Sequence, residues 1–189
     1  MDSARDRDRE KGKRTAAVRE AAVFLLLLLA GFYVNRHIHI HGLYMDDLYM
    51  WSCYGEQSYF AFAFPIGTST RFRPVYWTLT YLEMMLVRNH PSLFVPVNII
   101  LNVGCAYFIY RFSRKLSGGL TLIPFLSALL YLFSRFSYYQ IGQALGLLET
   151  MSLFLALYIL FLLYDYQRDG AVWRFLLANL AYFLLVFSH

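Results

Sequence analysis

The sequence predicts an all-α, polytopic transmembrane helix bundle of about five spans, and three observations carry that prediction. Apolar runs of near membrane length recur along the chain, beginning with Phe24-Leu25-Leu26-Leu27-Leu28-Leu29. Of 189 residues, 59% are hydrophobic and 15% charged, and the mean hydropathy is +0.45. A soluble domain of this size needs more polar surface. The basic residues between the runs also fall predominantly on one side once the loops are assigned alternately.

The first twenty residues hold seven of the 17 basic residues and five of the 12 acidic ones. The net charge of +5 therefore reads as a cytoplasmic anchor for a membrane protein; with no basic folded module, nucleic acid is excluded as a partner. Residues 1–15 have no apolar face to bury and are expected to form a disordered, charged cytoplasmic tail. Residues 16–189 form the transmembrane region. Its first span runs from Ala16 to Val34; Ala30-Gly31-Phe32-Tyr33 is aromatic where a signal-peptide cleavage site needs small residues, so the segment reads as an uncleaved anchor.

An external region follows over residues 35–90. Its loop is long enough to be functional and contains Gly42-Leu43-Tyr44-Met45-Asp46-Asp47-Leu48-Tyr49-Met50-Trp51. Asp46 or Asp47 is placed to cap a helix from Leu48 to about Phe62, whose aromatic content suits the headgroup zone. Pro74 to Val87 starts with a helix-compatible proline and carries Val75, Leu79, Leu82 and Leu86 at helical spacing. It reads as an interfacial amphipathic helix, short of the roughly 20 residues that span a bilayer.

Further spans are expected at Leu93–Tyr110, Leu120–Phe133, Leu145–Tyr164 and Val172–Phe187. With Pro74–Val87 not spanning, Arg111, Arg114, Lys115, Arg168 and Arg174 join the seven basic residues of the tail, putting 12 of 17 inside. If it spanned, the division would be nine to eight, so the positive-inside rule favours the first arrangement. Asn98 and Asn102 share a helix face and are expected to join helices. The chain stops directly after its last helix, as a fragment of a longer protein does.

This topology collects Asp46, Asp47, Glu56, Arg71, Arg73, Glu83, Arg88, His90, Gln140, Gln143, Glu149 and His189 at the external side. Ionisable groups near lipid are expensive unless they pair or bind something. Adjacent carboxylates can divide labour, one taking a proton or holding a divalent cation while the other orients it; an isolated Asp-Asp is also a helix cap with a solvated neighbour. Arg71 and Arg73 have the forked donors to hold a phosphate, or equally to anchor the loop at headgroups. Glu149 opens a span, where it either complements the helix dipole or faces the external site. His37, His39 and His41 alternate, as in a metal site but more commonly as in a polar interfacial strand. Cys53 and Cys105 form neither a disulfide framework nor a paired metal motif, and no cofactor beyond a candidate divalent cation is indicated.

The order of these motifs resembles the start of the C-superfamily (GT-C) membrane glycosyltransferases, within them most closely the protein O-mannosyltransferase and aminoarabinose-transferase-like group, family 39 and its relatives. The resemblance rests on the anchor, Asp46-Asp47, Arg71-Phe72-Arg73-Pro74, Asn89-His90-Pro91 and Pro96-Val97-Asn98-Ile99-Ile100-Leu101-Asn102. It continues through the basic turn Arg111–Gly119, the stretch Gly142–Glu149 and Ser188-His189. It implies a GT-C-like fold and transfer of a sugar from a polyprenyl-phosphate carrier to an acceptor glycan, lipid or protein at the external face. Asp46 or Asp47 would be the catalytic carboxylate, Glu149 a supporting acid, and Arg71 and Arg73 the groups nearest the carrier phosphate. Family members are two to three times longer, so the chain would be an N-terminal portion; the brevity of its loops points to a bacterial plasma membrane. The alternatives are a non-catalytic polytopic protein, such as a transporter subunit or assembly factor, and an inactive truncated product.

Overall fold

The computed structural model describes residues 2–43, 45–65, 72–144 and 146–188, with side chains from Arg14 onward. The described residues are all-helical, without strands. In order the helices are α1 (Asp2–Val34), α2 (Asp46–Glu56), α3 (Tyr59–Ala63), α4 (Pro74–Val87), α5 (Phe94–Leu116), α6 (Leu122–Leu132), α7 (Arg135–Ile141), α8 (Leu147–Asp169) and α9 (Val172–Val186).

Three stretches are long and apolar enough to cross a membrane: Arg14–Val34, Pro91–Leu116 and Leu147–Asp169. α6 and α9 are apolar but shorter, at 11 and 15 residues. Large apolar side chains stay exposed along all of these helices, among them Leu25, Leu26, Leu29, Ile100, Leu122, Leu130, Leu160, Leu176 and Leu180. Such an outward-facing apolar surface is consistent with an integral membrane protein.

α1 begins at Asp2, so helical backbone runs through the segment in which the sequence predicts a disordered tail. Opposite charges recurring three residues apart support a helix even where no apolar face exists, against the like charges that stand four apart.

α5 is the central post. Its Val95, Ile99, Val103, Ala106 and Tyr110 pack with Val23 and Leu27 of α1, Ala128 and Leu132 of α6, and Ile141 of α7 into one buried core. Gly31 lets α1 approach closely: a Cβ there would lie 2.8 Å from Val103 Cγ2. Buried polar groups are joined within this interior. Tyr131 donates to Asn102 Oδ1 at 2.7 Å, and Asn102 Nδ2 reaches Asn98 O at 3.1 Å and Thr150 Oγ1 at 3.2 Å. Thr150 in turn lies 3.0 Å from Gln140 Oε1 and from Gly146 O. The two asparagines thus face inward and link α5 to α6 and α8, as their four-residue spacing predicts.

Ion pairs mark one end of the bundle. Glu20 of α1 pairs with Arg114 of α5 and accepts from Tyr107 at 2.8 Å. Asp165 of α8 pairs with Lys115 of α5 and lies 3.3 Å from Arg174 of α9, which also meets Asp169 at 2.7 Å. The basic residues that the positive-inside count assigns to one side, Arg114, Lys115 and Arg174, therefore gather at the same end as the first half of α1.

The opposite end is closed by the short helices. A second apolar cluster joins Met50 of α2, Phe62 of α3, Met84 and Val87 of α4, Phe94 of α5 and Ala144. At the other end of α4, Val75 N donates to Phe187 O at 3.3 Å and Phe72 meets the Phe187 ring edge-on. Both ends of α4 thus contact elements of this same bundle end, and its 14 residues are fewer than a membrane-spanning helix needs.

Candidate functional site

α2 and α4 build the site. Asp46 and Asp47 are not capping residues: the helix starts at Asp46, its N-cap is Met45 without a side-chain cap, and both acids sit in the first turn. There the helix dipole favours them. Met45 has φ 46°, an uncommon backbone for a residue with a side chain, which turns the loop sharply into α2. The expected single helix to Phe62 is broken at Gln57 and Ser58, where the Ser58 hydroxyl accepts from Ala61 N and starts α3. Asp46 is exposed, whereas Asp47 is half-buried toward α4.

α4 is turned the other way round from its sequence pattern. Its buried face carries Tyr76, Thr80, Glu83, Met84 and Val87, while Leu82, Met85 and Leu86 are exposed. In water the leucine stripe would be inside. At a lipid boundary it faces out and the polar groups turn inward, as observed here.

Glu83 is the consequence. It is 6% exposed, and its Oε1 has no hydrogen-bond partner. Burial pushes its carboxyl up to about 8, and the neighbouring Asp47 carboxylate adds to the rise. Burial likewise raises the Tyr76 phenol well above its ordinary range; Glu83 and Glu149 push it further, against the Thr80 hydroxyl and Arg73, which lower it. Tyr76 therefore marks the point where charges from α4 and α8 meet.

Glu149 lies in the first turn of α8, as its position in the sequence implies, and is exposed. That turn is seated by Gly146, whose Cβ, if present, would lie 1.9 Å from the Gln140 carbonyl oxygen. Arg73 is half-buried immediately before α4, with a buried Nε that has no hydrogen-bond partner. Arg71 lies outside the described residues, as does His189. Glu56 is at the far end of α2, and Arg88 and His90 follow α4; all three are exposed.

Of the sequence-derived residues, Asp47, Glu149 and Arg73 are thus brought around the inner face of α4. Asp46 is exposed and no described interaction joins it to this group. Glu83, which the sequence collects at the external side without assigning it a role, and Tyr76 complete the group; the leucine stripe masked that Glu83 lies on the buried face.

Of the three histidines, His39 and His41 have ring centroids 5.9 Å apart, and the segment is irregular rather than a strand. Among the described residues no group of three His, Cys, Asp or Glu stands close enough to hold a metal ion. The arrangement offers one partly buried carboxylate beside a neutral one, with a guanidinium at the opposite end of the same helix face. It can accept a proton at one point and meet an anion at another. No family model matches the chain, and no curated protein or solved structure matches it.

Proposed function

We propose that the chain is a membrane glycosyltransferase, or the N-terminal portion of one, that moves a sugar from a polyprenyl-phosphate carrier to an acceptor at the external membrane face. Its fold is GT-C-like, with five spans, a cytoplasmic N-terminus and a bacterial plasma membrane as its setting. The observation that supports this reading is the gathering of Asp47, Glu83, Tyr76, Arg73 and Glu149 at one bundle end, opposite the basic end.

Asp47 takes the proton of the acceptor hydroxyl as the acceptor oxygen attacks the anomeric carbon. The bond from that carbon to the phosphate oxygen breaks, and its electron pair leaves on the carrier phosphate. Arg73, with Arg71, meets that phosphate; an unpaired buried guanidinium nitrogen fits a site awaiting an anion. The exposed Leu82, Met85 and Leu86 hold α4 at the lipid boundary, where a polyprenyl chain arrives.

The test is release of polyprenyl phosphate from a lipid-linked sugar by the protein carrying this chain, reconstituted in vesicles. Acceptor-dependent release is expected. Its absence with every lipid-linked sugar tried, from correctly folded protein, overturns the reading.

A further inference from the structure

The polar stripe inside α4 does more than line the site. Glu83 is 6% exposed with an unpartnered Oε1, and Thr80, one turn earlier, is 1% exposed with its hydroxyl acting on Tyr76. Among the described residues no Lys, Arg or His forms an ion pair with Glu83. The groups around it come from α2, α3, α8 and α4 itself. α2 contributes Asp47, which acts directly on Glu83; α8 contributes Glu149, and α4 itself Arg73, both acting on Tyr76. α3 contributes Tyr59, whose hydroxyl is engaged with Thr78 at 3.2 Å. Among the described residues the charge that acts on Glu83 is thus negative, and the cation acting on Tyr76, Arg73, stands ten residues away at the opposite end of the helix.

A carboxylate buried without a cation is strongly disfavoured, and a second anion beside Asp47 would also repel a departing phosphate. A neutral carboxyl removes both penalties and still presents an O–H.

Resting on the glycosyl-transfer reading of this site, we propose that Glu83 is a positioning residue for Asp47, a neutral buried carboxyl that keeps its own proton and leaves Asp47 the anion of the pair. In the transfer step the acceptor's proton moves to Asp47 while Glu83 keeps its own throughout. Deprotonating Glu83 places a second negative charge against Asp47, raises the proton affinity of Asp47 and opposes the leaving phosphate, so transfer falls at alkaline pH.

Two measurements test this. Infrared titration of the purified protein reads the protonated-carboxyl C=O band without any turnover. The wild type is expected to show a band at neutral pH that disappears as the pH rises through about 8. The band should be missing in Glu83→Gln, and in Asp47→Asn it should titrate at lower pH because the neighbouring charge is gone. The transfer rate read against pH should fall on the alkaline side in the wild type. Glu83→Gln, which mimics the neutral acid, should lose that alkaline fall, so that its rate relative to its own neutral-pH value stays flat as the pH rises.

A band that persists in Glu83→Gln, one unmoved in Asp47→Asn, or an alkaline fall retained in Glu83→Gln overturns the proposal. Should Glu83→Gln fail to fold, the Asp47→Asn shift still decides it. Wild-type protein that shows the band but transfers no sugar refutes the glycosyl-transfer reading while leaving the proton assignment standing. Transfer without the band refutes the Glu83 proposal alone.

Discussion

Asp47, in the first turn of α2, raises the hold of Glu83, inside α4, on its proton. The relationship joins an exposed loop helix to a helix of the same bundle end, and it has consequences for stability as well as chemistry.

The first concerns pH. Glu83 is raised from 4.5 to about 8 in the folded protein, so over that window the unfolded chain has released a proton that the folded one still holds. Folding is then favoured at low pH, and stability falls as the pH rises from about 4.5 to about 8, levelling off above. The loss is on the order of a few kcal/mol, and Glu83→Gln should flatten it. Unfolding midpoints in detergent across this range check the slope.

Asp165 predicts a second outcome. It pairs with Lys115 and Arg174, and so ties α8 to α5 and α9 at the basic end. All three side chains are mostly buried, so Asp165→Asn should cost about 1–3 kcal/mol by removing the acid that pairs with Lys115, while Arg174 keeps Asp169. Replacing Lys115 and Asp165 together should cost less than the sum of the single changes, a coupling that a double-mutant cycle of unfolding measurements reads directly.

A third follows from Gly31. Ala at this position puts a Cβ 2.8 Å from Val103 Cγ2, a separation that forces the helices apart. Gly31→Ala should cost about 1–3 kcal/mol by overpacking, and Val103→Ala in the same chain should restore part of it. Thermal unfolding of the two singles and the double decides whether α1 and α5 touch here.

Gly146 connects fold and site. A Cβ at this residue would overlap the Gln140 carbonyl, so Gly146→Ala must displace the start of α8 and with it Glu149 and Thr150. A loss of about 3 kcal/mol or more is expected, with reduced sugar transfer in whatever fraction still folds. Unfolding midpoint and transfer rate, measured on the same preparation, should fall together.

What could be read beforehand divides along physical lines. Apolar runs and basic loops report the solvent a segment meets, so the membrane-length helices, the short α4 and the common end of Arg114, Lys115 and Arg174 were legible. The inward pairing of Asn98 and Asn102 followed from helical spacing, and Glu149 from its place at a helix start. The buried face of α4 was not legible. Periodicity finds a leucine stripe without saying whether core or lipid lies against it, and at a lipid boundary the answer inverts, which hid the burial of Glu83. Nor does local sequence choose between Asp46 as a cap and as a first-turn residue, because the Met45 backbone decides that. Partners such as Glu20 and Arg114, 94 residues apart, are set by how the helices pack.

The central claim is that Asp47 is the working carboxylate of a sugar-transfer site, and the comparison of Asp46→Asn with Asp47→Asn in a lipid-linked sugar transfer assay tests it most directly. Asp46 is exposed, while Asp47 is half-buried and acts on Glu83. Asp47→Asn is therefore expected to lower the rate by about 10²–10⁴-fold, with Asp46→Asn staying within about threefold of wild type. Equal effects of the two substitutions, or full transfer by Asp47→Asn, would contradict the account.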